Sequence, residues 1–182
     1  MSKAVLLSIQ PKWCELIASG KKTVEVRKRR PNLAPPFKVY IYQTRRTWIY
    51  DIYSRISDWQ GKVIGEFVCD RIDEHTNYSL DEQHGHIKRR EDLLRSACMT
   101  LKDWRDYIGS YRSDWGCAWH ISSLIIYDKP KELSEFETKR TITTLTTEHN
   151  IEGIVHYPKK EIVFDKLIRP PQSWCYVEEI NG

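Results

Sequence analysis

Ser19 to Arg30 read Ser-Gly-Lys-Lys-Thr-Val-Glu-Val-Arg-Lys-Arg-Arg, and no other segment restricts the fold as strongly. Upstream, Trp13, Leu16 and Ile17 fall at i, i+3, i+4 spacing behind Pro11, the pattern of a short helix with one apolar face. Gly20 is the stop for that helix. From Thr23 the period changes to two, so a strand must begin within a few residues of the helix end. Side chains alternate across a strand, which puts Val24 and Val26 on one face and Thr23, Glu25 and Arg27 on the other. The segment carries six cations and one carboxylate. The expectation is a strand that buries two valines and displays a hydroxyl, an acid and a guanidinium, with Lys21 and Lys22 in the turn at its mouth. The competing reading is a solvated edge strand with basic gatekeepers.

Charge is distributed unevenly around this segment. Residues 1–46 hold eleven Lys or Arg against Glu15 and Glu25, a net +9 in a chain of net +4, so the remainder is net −5. Such an end suits a polyanion. Seven Trp and ten Tyr can fill a small core, and they can also stack on bases. The five cysteines are widely spaced, with no CxxC pair and no zinc-ligand pattern, which reads as reduced thiols in a cytoplasmic protein. The Met-Ser-Lys-Ala start lacks the apolar core of a signal peptide, and no apolar run approaches a membrane span, so no membrane association is expected. His75, His84 and His86 lie in a polar stretch, and the His84-Gly85-His86 pair has no third ligand at a convincing spacing, so neither a metal nor any other cofactor is expected.

The rest of the chain is rich in strands. Ala4–Ile9, Lys38–Gln43, Gly61–Ile72, Trp115–Tyr127 and Ser173–Ile180 carry strand patterns. Gly65 inside one of them marks a bulge, a barrel corner or a close backbone approach. Residues 44–60 read as a long loop or distorted hairpin. Residues 91–96 and a segment opened by the capping-box pattern Thr100–Asp103 read as helices, the second ended by Gly109. Lys129-Pro130 is expected to stop the long strand, and Leu133–Phe136 to form an extended tether. The whole, residues 1–182, is expected to be one α+β domain, a small mixed β-barrel with two to three flanking helices, and 141–168 an added hairpin.

The run Gly20-Lys21-Lys22-Thr23-Val24-Glu25-Val26-Arg27 resembles the GxKxxExR signature of the ASCH domain, a branch of the PUA-like superfamily. Gly61–Phe67, Trp119–Ser122 ahead of Ile125–Tyr127, and Arg169–Trp174 resemble the same family, while residues 141–168 match it least. The resemblance implies a barrel with a cleft beside the signature, binding RNA or a modified nucleotide. Lys22, Glu25 and Arg27 take the signature positions, with Lys21 adjacent. In relatives that look like amidohydrolases on acylated cytidine, a Thr nucleophile stands where this chain has Glu25, and their separate acid has no clear counterpart near Met99.

In the binding reading, Glu25 accepts an exocyclic amine while Lys22 and Arg27 hold carbonyl or phosphate oxygens. Trp119, Trp174 or a residue of the 48–53 loop stacks on the base, with Ser173 beside Trp174. Lys28, Arg29, Arg30, Arg45 and Arg46 follow the phosphate backbone. About four neutralised phosphates on a single strand give a log–log salt slope of roughly −3. Glu25→Ala is expected to lose ligand and keep the fold. The alternative is a metal-independent ribonuclease or amidohydrolase using Lys22 and Glu25, with His120 as base because histidine titrates near neutrality. A third class, a protein-interaction module, predicts an exposed apolar patch. The oligomeric state is left open.

Overall fold

The computed structural model describes residues 2–45, 56–77, 87–111, 114–150 and 153–180. In chain order these form β1 (Lys3–Ile9), α1 (Pro11–Ala18), β2 (Val24–Arg27), β3 (Phe37–Gln43), β4 (Val63–Thr76), α2 (Ile87–Ser96), α3 (Leu101–Ile108), β5 (Trp115–Lys131), β6 (Glu137–Asn150), β7 (Gly153–Lys166) and β8 (Trp174–Glu178). Six strands make one mixed sheet in the order β2-β5-β4-β3-β1-β8, and β6 pairs with β7 in a separate ladder. Only β1 and β3 run parallel within the large sheet; its other ladders are antiparallel.

β1 is buried from Ala4 to Ile9, as a central strand covered on both faces must be. Val5, Leu7 and Ile9 point into a cluster with Val39, Ile41, Phe67 and Trp119, capped by Cys14 and Ile17 of α1. Ala4 and Leu6 point the other way, toward Tyr40, Val63, Phe136 and Val177. A third cluster joins Val24 and Val26 of β2 to Leu93, Trp104 and Ile108 of α2 and α3. No helix among the described residues is long and apolar enough to cross a membrane.

Among the described residues the architecture is α+β with three helices, but the expected barrel does not close. Among the described residues no ladder joins the edge strands β2 and β8. The sheet does curl, because the Arg27 side chain on β2 reaches the Ser8 carbonyl on β1, four places away in strand order, at 2.7 Å. Gly65 contributes to that bend. A Cβ there would lie 2.4 Å from the Ile125 carbonyl oxygen, and the β4–β5 register shifts beside it. Of the three meanings a strand glycine can have, both the close approach and the bulge apply.

Three local expectations need correcting. β5 continues through Pro130 to Lys131. β2 is only four residues long and pairs with Cys117–His120, so among the described residues no strand lies beside the far half of β5 on that edge, where a missing N–H is tolerated. Leu133–Glu135 is a 3₁₀ turn rather than an extended tether, because Glu132 and Glu135 cap each other's backbone, and it seats Phe136 in the core. The hairpin begins at Glu137, ahead of the expected 141, and its ladder runs from Glu137–Lys166 to Asn150–Gly153 without a register shift. Most of the expected 44–60 loop lies outside the described residues, which resume there at Ile56 with a 3₁₀ turn at Ser57–Trp59.

Candidate functional site

The site begins at the helix-to-strand junction. Gly20 takes φ +72°, a left-handed conformation that suits glycine, and Lys22 N–H then donates back to the Leu16 carbonyl at 2.9 Å. Thr23 N–H donates to the Ser96 carbonyl at the end of α2, which aims β2 along β5. Val24 and Val26 turn toward α3 as alternation requires, while Thr23 is exposed. The expected display of an acid and a guanidinium is corrected here: Lys22, Glu25 and Arg27 are only 2%, 5% and 7% exposed.

These three side chains are bound to one another and to backbone. Lys22 Nζ donates to the Ala97 carbonyl at 2.7 Å and lies 3.3 Å from Glu25 Oε2. Arg27 Nη2 lies 3.0 Å from Glu25 Oε1 and donates to the Ser8 carbonyl. The Lys22 ammonium also sits 4.9 Å from the Trp13 ring centroid, within cation–π range. Two buried atoms of the trio have no hydrogen-bond partner: Glu25 Oε2, which Lys22 approaches as an ion pair only, and Arg27 Nε. The neighbouring Cys14 thiol is pushed well above its ordinary pKa, by burial first and then by the Glu25 carboxylate.

Lys22, Glu25 and Arg27 line a cleft of about 870 Å³. Trp13, Tyr107 and Trp174 supply aromatic walls, Lys28 and Arg29 a basic flank, and Asp103 and Asp106 of α3 an acidic one. Lys28 lies over the Tyr107 ring at 5.5 Å. Ser173 and Gln172 enter from the segment before β8, which is tied down by Ser8 N–H donating to the Ser173 carbonyl and by Ser8 Oγ donating to the Pro171 carbonyl. Asp103 has its pKa lowered by the Thr100 hydroxyl and backbone N–H that donate to it.

Seven of the expected residues therefore meet at the cleft: Lys22, Glu25, Arg27, Lys28, Arg29, Ser173 and Trp174. Others do not. Trp119 is fully buried, edge-on to Phe37 at 5.8 Å and 6.2 Å from Trp174, so it supports the wall without facing a ligand. His120 accompanies Val24 on the other side of the strand pair, where it hydrogen-bonds Asp73 at 2.8 Å with Arg71 against its ring. That removes it as a base for this cleft. Lys21 is exposed beside the turn, Arg30 pairs with Glu74 at 3.5 Å, and Arg45 packs against Gly61, all off the cleft wall. Arg46, His84, His86 and the 48–53 loop lie outside the described residues. Among the described residues no group of three or more His, Cys, Asp or Glu side chains is placed to hold a metal ion.

Trp13, expected on the apolar face of its helix, and Tyr107 of α3 are aromatic walls that the sequence did not mark as such. Both stand on the apolar stripe of an amphipathic helix, and a stripe does not distinguish a packed face from a cleft wall. The structure separates them by their half-burial beside lysines, Lys12 over Trp13 at 4.6 Å and Lys28 over Tyr107, which the sequence does not show.

The ASCH domain family model matches residues 7–157. The match ends inside β7, so the Arg169–Trp174 stretch lies beyond it. Among solved structures, ASCH from Zymomonas mobilis is 25% identical over 71% of this chain and 73% of its own, with a TM-score of 0.49. A serine-to-alanine variant of the Zymomonas mobilis protein is 24% identical over 71% and 74%, with a TM-score of 0.50, a likeness of fold. A tyrosine-to-phenylalanine variant is 24% identical over 72% and 77%, with a TM-score of 0.49. No curated protein matches the chain.

Proposed function

The chain belongs to the ASCH domain family, and from that premise we propose that it binds single-stranded RNA or a modified nucleotide, seating one base in the cleft over Lys22, Glu25 and Arg27. The observation that carries this reading is the pair of buried atoms in the floor without a hydrogen-bond partner, Glu25 Oε2, which has the Lys22 ion pair alone, and Arg27 Nε. An unmet buried acceptor and donor each cost about 1–3 kcal/mol. A base edge that offers an N–H and an acceptor carries the two kinds of group these atoms lack, and unpaired bases are read through such edges. Trp13, Tyr107 and Trp174 offer faces for stacking, worth ~1–3 kcal/mol per base.

The phosphate path is shorter than the sequence suggests. Lys28 and Arg29 flank the cleft, whereas Arg30 and Arg45 are engaged elsewhere. Two neutralised phosphates give a log–log salt slope of about −1.4 rather than −3. Titrating labelled single-stranded RNA at several salt concentrations tests this directly. Arg29→Ala is expected to flatten the slope by about 0.7, and Arg30→Ala to leave it nearly unchanged. Salt-independent binding, or no binding to RNA or to a panel of modified nucleotides, sinks the proposal.

A hydrolase in the same cleft is the second reading, favoured by Glu25 Oε2 standing unbonded 3.3 Å from Lys22 Nζ, where a carboxylate activates a water. Mass spectrometry of the same mixtures separates the two. Product that disappears with Lys22→Ala, in a variant whose urea transition shows it still folded, makes the protein an enzyme; a bound ligand recovered unchanged makes it a reader.

A further inference from the structure

The β1–β8 ladder stops at the Leu7–Trp174 pair. The chain just before it brings Gln172, Ser173 and Trp174 to the cleft, and its Pro170 and Pro171 have no N–H with which to extend a ladder. Ser8 holds this stretch with two donors. Its N–H donates to the Ser173 carbonyl at 2.9 Å, and its Oγ donates to the Pro171 carbonyl at 2.7 Å. The remaining polar group of Ser8, its carbonyl, accepts from Arg27 Nη2 at 2.7 Å, and Arg27 lies 3.0 Å from Glu25. Ser8 is 6% exposed, so water competes little for these bonds. A continuous line of polar contacts therefore runs from Glu25 in the floor, through Arg27 and Ser8, to the backbone that carries Trp174. It spans the gap between the edge strands β2 and β8, which among the described residues no ladder joins.

We propose that Ser8 is a positioning residue for the ligand: its hydroxyl fixes the Trp174 wall against the Glu25–Arg27 floor, so that a base reaching the floor is stacked on Trp174. This rests on the base-binding reading of the cleft and adds which of its three aromatic walls is the platform. Cations already stand over the other two, Lys12 and Lys22 at 4.6 and 4.9 Å from the Trp13 ring centroid and Lys28 at 5.5 Å from that of Tyr107. Trp174 is instead buttressed by Trp119 and Tyr176, whose planes are inclined to its own by 56° and 72°, so neither lies flat on its ring. A platform fixed in advance spares the ligand the cost of ordering it. The N–H and carbonyl of Ser8 are backbone groups that any residue but proline supplies in full. The Oγ bond to Pro171 is the part that requires serine, and its loss frees the stretch before Trp174.

A double-mutant cycle on the affinity for labelled single-stranded RNA is the test, with the urea midpoint of each variant measured alongside. Ser8→Ala is expected to raise Kd about threefold to tenfold, and Ser8→Thr, which restores the hydroxyl, to recover most of that loss. Trp174→Ala is expected to raise Kd about tenfold or more. Adding Ser8→Ala to Trp174→Ala should then change Kd less than about twofold, because the hydroxyl acts through the ring. If Ser8→Ala does not keep its fold, Ser8→Cys takes its place in the cycle with the same expectations, since a thiol keeps the shape and is a weak donor. A Kd that Ser8→Ala leaves unchanged, with only the urea midpoint lowered, overturns the proposal while the base-binding reading stands. So do Ser8 and Trp174 effects that multiply in the double variant. A native chain that binds neither RNA nor any modified nucleotide overturns both.

Discussion

Glu25 sits between two cations with almost no access to water. Removing one member of such a group strands the others, and Glu25→Ala is expected to destabilise the fold by roughly 3–5 kcal/mol, read as a lower urea midpoint at unchanged m-value. A variant that loses ligand and keeps full stability, the behaviour expected of a displayed acid, would show that the trio is less buried than its geometry implies. Buried ion pairs are seldom the most stable solution for a core, since apolar side chains of similar volume do as well or better. The proposed reading accounts for the trio by the ligand it would hold rather than by the stability it adds. The residue types and their spacing were readable from Ser19 to Arg30; their burial was not. Alternation assigns residues to two faces without saying which face is covered, and here α3 covers one and the α1–β8 side covers the other.

α3 shows how far local chemistry carries. The Thr100–Asp103 pattern forms the capping box it signals, Thr100 Oγ1 accepting from Asp103 N–H at 3.0 Å and Asp103 accepting from Thr100 N–H at 2.8 Å. Thr100→Ala is expected to cost about 1 kcal/mol at neutral pH, measured by thermal or urea unfolding. The pH dependence has a definite sign. Thr100 lowers the folded pKa of Asp103 below its unfolded value, so this contribution is complete above the unfolded value and is lost as pH falls through the folded one. The native chain should therefore lose more stability on acidification than Thr100→Ala does, and equal losses would count against the cap. Pro130 and Leu133–Glu135 went the other way. A proline ends a strand only where its missing N–H is needed, and that depends on whether a neighbour strand lies alongside.

The molecule divides into a curled six-stranded sheet with both faces packed and a separate hairpin that meets it chiefly where β6 touches β8. Hydrogen exchange should follow that division, with amides of β1, β3 and β4 slowest and those of β6 and β7 exchanging much faster. Protection equal to that of the sheet would place the arm within the cooperative core. Gly20 as a stop, the β2 alternation, the Thr100 cap and a hairpin near 141–168 were all readable in the chain, because each depends on residues within a few positions of one another. That Trp119 is core while Trp13 is a cleft wall, that His120 faces Asp73 instead of a ligand, and that the sheet curls without closing were not. Those outcomes depend on which strand lies beside which and which helix covers which face, and contacts between residues far apart in the chain settle them.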